Sequence, residues 1–395
     1  MRKTPPCIAT KPASWRRHAA FAPWHQFAVS SLAAACIAFG GTPLPAPAVD
    51  FSTPLSALQA QEKTVENLFD QATPSVVYVQ TFVEKLDRIS RNAVEVPAGT
   101  GSGFVWDAKG YICTNFHVIR NAQAAKVVVT GEGGGTTTTY NAKLVGYNPD
   151  KDVAVLKIDP KARLTPLPLG SSAPLRVGQT TLALGNPFGL DHTLTVGVVS
   201  GLGREVTSPS GRPITNVIQT DAAINPGNSG GALLDSSGKL IGMNTAIYSP
   251  SGASAGIGFA IPVDTLKYQV ETIIRDGKVE RPALGVSYLS AGQARSLGVG
   301  RGVLVLDVPK GSAASKAGLQ GSYRRDDGGV VLGDVITGIN GDSVATDLDL
   351  FRAIDKYAPG ESVTVIVQRL VENADGRIDA TEKQLTLVLQ ATEAA

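Results

Sequence analysis

Cysteine and histidine are scarce in this chain of 395 residues: it holds three of the first and four of the second. A disulfide-braced scaffold and a metal centre both need more of these residues, and closer together, so neither is expected. Excess charge is missing too. With 36 basic against 34 acidic residues the formal net charge is +2, which gives no footprint for a nucleic acid. No GxxxxGK[S/T] segment cradles a phosphate, so no nucleotide or other cofactor is expected. The apolar run Phe27 to Phe39 has only 13 residues, where about 20 are needed to cross a bilayer.

What charge there is falls unevenly. Residues 1 to 49 carry Arg2, Lys3, Lys11, Arg16 and Arg17 and no acid, the first being Asp50; the remainder has 31 basic and 34 acidic groups. Arg16-Arg17, then the apolar run, then Ala46-Pro47-Ala48 is the order of a cleavable signal. Residues 1–48 are therefore expected to be a transit or signal peptide, and the acid-free basic stretch also fits a two-part signal for the inner compartment of an organelle. Cys7 and Cys36 would leave with it, so Cys113 would remain without an intrachain partner. Only His117 and His192 would remain among the histidines.

Residues 49–74 place Leu58, Val65, Leu68 and Phe69 at near-helical spacing, closed by Thr73-Pro74, which predicts a short amphipathic helix. From Ser75 the pattern changes to short β-branched runs separated by Gly-rich turns, the signature of antiparallel barrels or a sandwich. Their length suits two small barrels in one catalytic unit, over 75–278. A second helix is expected over Val263 to Asp276, stopped by Gly277. Lys278 to Arg281 reads as a linker, and 281–391 as a separate module of short strands and helices.

Gly227-Asn228-Ser229-Gly230-Gly231 is the sharpest chemical signal. Nucleophilic hydrolysis needs a hydroxyl on a tight turn whose backbone N–H groups converge on the developing oxyanion. Ser229 is the candidate nucleophile; the N–H groups of Gly227 and Ser229 are the natural oxyanion donors, with Asn228 helping to form the turn. A serine nucleophile needs a histidine base held by a carboxylate. His117, where the strand YICT runs into a helical turn, suits that role better than His192, which reads as a surface or interface residue beside Asp191. Asp150, Asp152 and Asp159 all bracket the strand VAVLKI. Asp152 opens it directly, but spacing alone rates a turn-terminating aspartate nearly as high. No histidine follows Ser229, which argues against an α/β-hydrolase, and the order His117, Asp152, Ser229 is that of a chymotrypsin-like double barrel.

TNFHVI, DKDVAVLKI, LALGNPFGLDHTLTVGVVSG and QTDAAINPGNSGGALLD closely resemble the HtrA/DegP family of serine endoproteases, and most of all the lumenal Deg proteases of chloroplasts. The resemblance runs from about Leu68 to the C-terminus. It implies a mainly β fold, a chymotrypsin-like double β-barrel protease domain followed by one PDZ domain, with His117 as base, Asp152 as its orienting partner and Ser229 as nucleophile. It also identifies Ala283, Leu284, Gly285 and Val286 as the PDZ carboxylate-binding loop, where a peptide C-terminus would add as a strand. One PDZ module fits the remaining length. The resemblance further implies a homotrimer or multiple of three, unfolded or damaged proteins as substrates, and peripheral association with the thylakoid membrane. Loops placed like Arg204 to Thr215 and Ser249 to Gly256, which have few apolar anchors, are implied to order when ligand binds.

The segment Ala222-Ala223-Ile224-Asn225 ahead of Ser229 has no charge for a specificity pocket, so cleavage after small or medium aliphatic residues is expected. The expected function is ATP-independent serine endopeptidase activity in the thylakoid lumen, with the bacterial periplasm as the alternative compartment. A holding chaperone and a small-ester hydrolase are the rival readings. His192, with an ordinary pKa near 6.5, is a candidate pH sensor for an acidic compartment.

Overall fold

The computed structural model describes residues 52–86, 93–131, 135–189, 191–247, 256–372 and 378–393, and the expected signal segment lies outside them. Helix α1 (Ser52–Ala72) lies where the amphipathic spacing predicts it, and its apolar residues Val65, Leu68, Phe69 and Ala72 pack into the largest core cluster. Thr73-Pro74 ends it as expected, since proline cannot continue the backbone ladder.

The β-branched runs form two closed six-stranded barrels. The first contains β1 (Val76–Leu86), β2 (Ala93–Val105), β3 (Tyr111–Thr114), β4 (Ala124–Thr130), β5 (Thr137–Asn148) and β6 (Val153–Lys157), in the order β1-β2-β3-β6-β5-β4. The second contains β7 (Thr180–Gly185), β8 (Thr193–Thr207), β9 (Pro213–Thr220), β10 (Ala232–Asp235), β11 (Leu240–Ile247) and β12 (Gly258–Pro262), in the order β10-β11-β12-β9-β8-β7. Closure leaves neither sheet an open edge. A four-residue turn of helix, α2 (Phe116–Ile119), follows β3. Helix α3 (Val263–Asp276) matches the expected bounds; it buries Val263, Leu266, Val270 and Ile273, and Gly277 caps it at φ 76°.

The second module begins sooner than a linker over Lys278–Arg281 would allow. β13 (Glu280–Ala283) already pairs with β22 (Gln390–Glu393), and Val279 is buried. The module's sheet joins β14 (Ser287–Tyr288), β15 (Val303–Asp307), β18 (Val335–Ile339), β20 (Ser362–Glu372) and β21 (Ile378–Val388) in that order, with β19 (Asp342–Ser343) on β18 and a separate hairpin of β16 (Tyr323–Arg324) and β17 (Val330–Val331). Of its short helices α4 (Ala291–Ser296), α5 (Ala313–Lys316) and α6 (Asp347–Ile354), the last is started by a reciprocal capping box between Thr346 and Asp349. Among the described residues no helix is long and apolar enough to cross a membrane.

The segment Arg204 to Thr215, expected as a weakly anchored loop, is instead the paired end of β8 and β9 around a tight turn at Ser208–Gly211. Its anchors are apolar and polar: Ile214 is buried in the largest core cluster with Val206 packed against it, and Arg212 is 5% exposed, 2.6 Å from Asp355 and with its guanidinium 4.0 Å from the centre of the Phe351 ring. Glu205 pairs with Arg352 at 2.6 Å. Most of the other expected loop, Ser249 to Gly256, lies outside the described residues.

Candidate active site

The site forms where the two barrels face each other. From the first barrel, β3 ends at Thr114, and α2 turns His117 toward the residue that opens β6. That residue, Asp152, sits at φ 53°, a left-handed conformation that aspartate tolerates better than most side chains. The turn presents its carboxylate to His117 on both sides: the backbone N–H of His117 donates to Oδ1 at 2.9 Å, and ring Nδ1 lies 2.8 Å from Oδ2. A third donor comes from the other barrel, where the Thr245 hydroxyl reaches Oδ2 at 2.6 Å. Asn115 Nδ2 and the Phe116 N–H bind the Asp152 carbonyl at 3.0 and 3.2 Å, so the backbone is clamped as well.

Burial separates the two partners. The Asp152 side chain is 3% exposed and that of His117 is 37% exposed. A buried carboxylate is an acceptor at both oxygens, so it fixes the imidazole tautomer with the proton on Nδ1 and leaves Nε2 as the acceptor.

Ser229 lies in the turn between β9 and β10. Its hydroxyl donates to the Thr245 carbonyl at 3.3 Å, so Thr245 touches the serine through its backbone and the aspartate through its side chain. The turn before it has proline second and glycine third, Asn228 N–H bonds back to the Asn225 carbonyl at 3.1 Å, and Gly227 sits at φ 107°. These are the marks of a type II turn. Asn228 therefore spends its N–H on the turn, and its side chain braces it through Asn225 N–H (3.0 Å) and the Ala223 carbonyl (3.1 Å). Among the described residues the N–H groups of Gly227 and Ser229 donate to nothing, which leaves both open toward an oxygen. Ala222 and Ile224, ahead of the turn, are buried.

Asp150, the alternative carboxylate on spacing, is elsewhere. It takes Ser210 Oγ at 2.5 Å and lies 2.9 Å from Arg281 and 3.6 Å from Arg212, so it serves the contact between the barrels and the second module. His192 makes its contacts apart from His117, Asp152 and Ser229. Its Nε2 lies 2.7 Å from the Val76 carbonyl and 3.3 Å from Asn186 Nδ2, and burial lowers its pKa, opposed by the Val76 hydrogen bond and the charge of Asp191. Cys113 is buried against Met243, and burial pushes its thiol pKa far up, which makes it inert as a nucleophile.

In the second module Ala283 belongs to β13, while Leu284, Gly285 and Val286 form the bend into β14. They line a groove of about 320 Å³ with Tyr288, Leu350, Phe351 and Ile354. β14 ends its sheet, so one edge remains open to an added strand. Arg212 and Arg281 stand at the same groove.

Thr245 was not legible as a site residue beforehand. It is a lone hydroxyl inside the run LIGMNTAIY, and only strand register brings it beneath Asp152.

Residues 101–243 match the trypsin-like peptidase domain family and residues 282–388 the PDZ domain family. The chain is 55% identical over 320 residues to Protease Do-like 1, chloroplastic, of Arabidopsis thaliana, covering 80% of this chain and 71% of that protein. It is 42% identical over 280 residues to the probable periplasmic serine endoprotease DegP-like of Brucella suis, covering 70% of this chain and 51% of that protein. The solved structure of HtrA-type protease AlgW with decapeptide superposes with a TM-score of 0.59 at 34% identity, over 83% of this chain and 98% of that one. With a double barrel, a PDZ module and relatives of this similarity, the chain belongs to the HtrA/DegP family of serine endopeptidases.

Proposed function

We propose that Ser229 is the nucleophile of this endopeptidase, His117 its general base and Asp152 the carboxylate that orients the base. One observation carries the reading: a buried carboxylate held at once by His117 Nδ1 and by Thr245, the residue whose carbonyl receives the Ser229 hydroxyl. Rotation about the Ser229 side chain moves its proton from the Thr245 carbonyl to His117 Nε2 as Oγ attacks the scissile carbonyl. The oxygen that becomes negative is received by the N–H groups of Gly227 and Ser229. The imidazolium, stabilised by Asp152, then gives its proton to the leaving amine, and water releases the acyl group by the same steps.

The substrates we assign are unfolded or damaged proteins, because an extended cleft takes substrate as a strand that a folded domain does not donate. Cleavage follows small or medium aliphatic residues, in keeping with the uncharged segment Ala222 to Asn225, and needs no ATP. The PDZ groove takes peptide C-termini at Leu284, Gly285 and Val286. Working units are trimers or multiples of three. The thylakoid lumen is the compartment we favour, supported by the basic, acid-free leader and by a chloroplastic relative; the periplasmic relative supports the alternative. His192 is the group we assign to pH response, because its ring bridges β1 and the segment after β7.

The test is proteolysis of unfolded casein by the wild type and by Ser229→Ala. A working triad loses about six orders of magnitude in turnover, while binding of the unfolded chain persists. Undiminished cleavage by Ser229→Ala excludes the assignment.

A further inference from the structure

Ser102 ties the Ser229 turn to the first barrel, for it belongs to the opposite barrel from Ser229 and is fully buried. Its N–H donates to the Ser229 carbonyl at 2.9 Å, and its own carbonyl takes the Thr114 hydroxyl at 2.7 Å. Its hydroxyl donates to the Gly227 carbonyl at 2.6 Å and accepts the Asn186 N–H at 2.8 Å. Both halves of that hydroxyl are thus used, each on a segment of the second barrel.

The Gly227 carbonyl is the point of interest. Two N–H groups, those of Gly227 and Ser229, have to face one oxygen, and the two carbonyls between them have to face away; that of Asn228 takes the Gly231 N–H at 3.0 Å, which leaves that of Gly227. Gly227 has no side chain to hold it and sits in the left-handed region, where glycine has wide freedom. Among the described residues its carbonyl receives a hydrogen bond from Ser102 alone. The fit is close: a Cβ on Gly230 would lie 2.2 Å from the Ser102 carbonyl oxygen, so the serine loop has no slack against β2.

We propose that Ser102 is a positioning residue for the oxyanion turn. Its hydroxyl locks the Gly227–Asn228 peptide with the carbonyl turned away, and the Asn186 N–H fixes the direction of that hydroxyl. Ser102 touches neither substrate nor any proton in transfer. It acts through Gly227, and the inference rests on the oxyanion role proposed above for Gly227 and Ser229.

The experiment compares wild type, Ser102→Ala and Ser102→Thr in hydrolysis of a short peptide amide across pH 5 to 9, and in inhibition by the matching peptide boronic acid. The boronate adds to a serine nucleophile and places an oxygen where the oxyanion forms. Removing an oxyanion donor outright costs about 100- to 1,000-fold, so loosening the turn is expected to lower kcat about 10- to 100-fold. KM and the acid limb of the pH profile stay in place, because the His117–Asp152 pair is untouched. Boronate affinity falls by the same factor as kcat. Ser102→Thr, which keeps the hydroxyl, retains at least a third of wild-type kcat. A folded Ser102→Ala enzyme with kcat within twofold of wild type overturns the proposal, as does equal impairment of the Ala and Thr variants, which makes the effect one of packing. Should Ser102→Ala prove insoluble, Ser102→Gly takes its place with the same expectations. The underlying oxyanion reading fails separately, through a wild-type enzyme that does not bind the boronate.

Discussion

Replacing Thr245 by valine removes one hydroxyl from the site and little else. Valine has nearly the same shape and the same β-branching, and residue 245 lies within β11, so the strand and the 245 carbonyl that receives Ser229 remain. What goes is the 2.6 Å bond to Asp152 Oδ2, leaving that buried carboxylate with donors from His117 only. A hydrogen bond to a charged group contributes about 1.5–3 kcal/mol. At roughly 1.4 kcal/mol per tenfold in rate, its loss in the transition state lowers kcat about 10- to 100-fold. Initial rates on a chromogenic peptide from pH 5 to 9 read the loss. A Thr245→Val enzyme whose kcat/KM stays within twofold of wild type at every pH refutes the reasoning that Thr245 holds the carboxylate.

Gly227→Ala places a Cβ 2.5 Å from that of Pro187 on a backbone at φ 107°, so the turn has to rearrange; turnover is expected to fall about 100- to 1,000-fold while the circular dichroism spectrum is kept. The two neighbouring aspartates separate by assay. Asp152→Asn is expected to cost about 10⁴ in kcat. Asp150→Asn leaves the triad contacts whole and instead strips Arg281 and Arg212 of a shared carboxylate, lowering unfolding free energy by about 2–3 kcal/mol in denaturant titration. His192 carries the pH prediction. Its folded pKa is lowered by burial, so the unfolded chain takes up the proton first, and the stability contributed above the ordinary value near 6.5 is lost as pH falls toward the folded pKa. His192→Gln is expected to show a smaller drop in Tm between pH 8 and pH 5 than wild type, and an equal drop places the titrating group elsewhere.

What could be read from the chain alone followed local rules. The Thr73-Pro74 and Gly277 stops bounded α1 and α3 because proline and left-handed glycine act on their own backbone, and the barrel strands announced themselves by β-branched runs. Gly227-Asn228-Ser229 was legible because one short turn carries both hydroxyl and donors. Thr245 and Ser102 were not, since each is a single hydroxyl whose partners lie 93 and 125 residues away and only barrel closure brings them together. The segment Arg204 to Thr215 misled for a related reason. Its few apolar residues suggested weak anchoring, yet Ile214 is buried in the core, and Arg212 and Glu205 add ion pairs to Asp355 and Arg352, 143 and 147 residues further on. Composition records what a segment can bury, but not which distant charge will meet it. The same holds for Asp150 and Asp152, two residues apart and equivalent by spacing, which the turn at φ 53° sends into different networks.

If a His117 held on Asp152 makes the Ser229 hydroxyl nucleophilic, labelling of that hydroxyl by an electrophile depends on the imidazole. The folded enzyme is treated with a fluorophosphonate and digested, and the modified residue is located by mass spectrometry, in parallel with a His117→Ala variant. One phosphonyl group is expected, on Ser229, formed rapidly in wild type and at least a thousandfold more slowly without the imidazole. A label on another serine in an enzyme that still cleaves casein, or equal labelling of both proteins, contradicts these roles of His117 and Ser229.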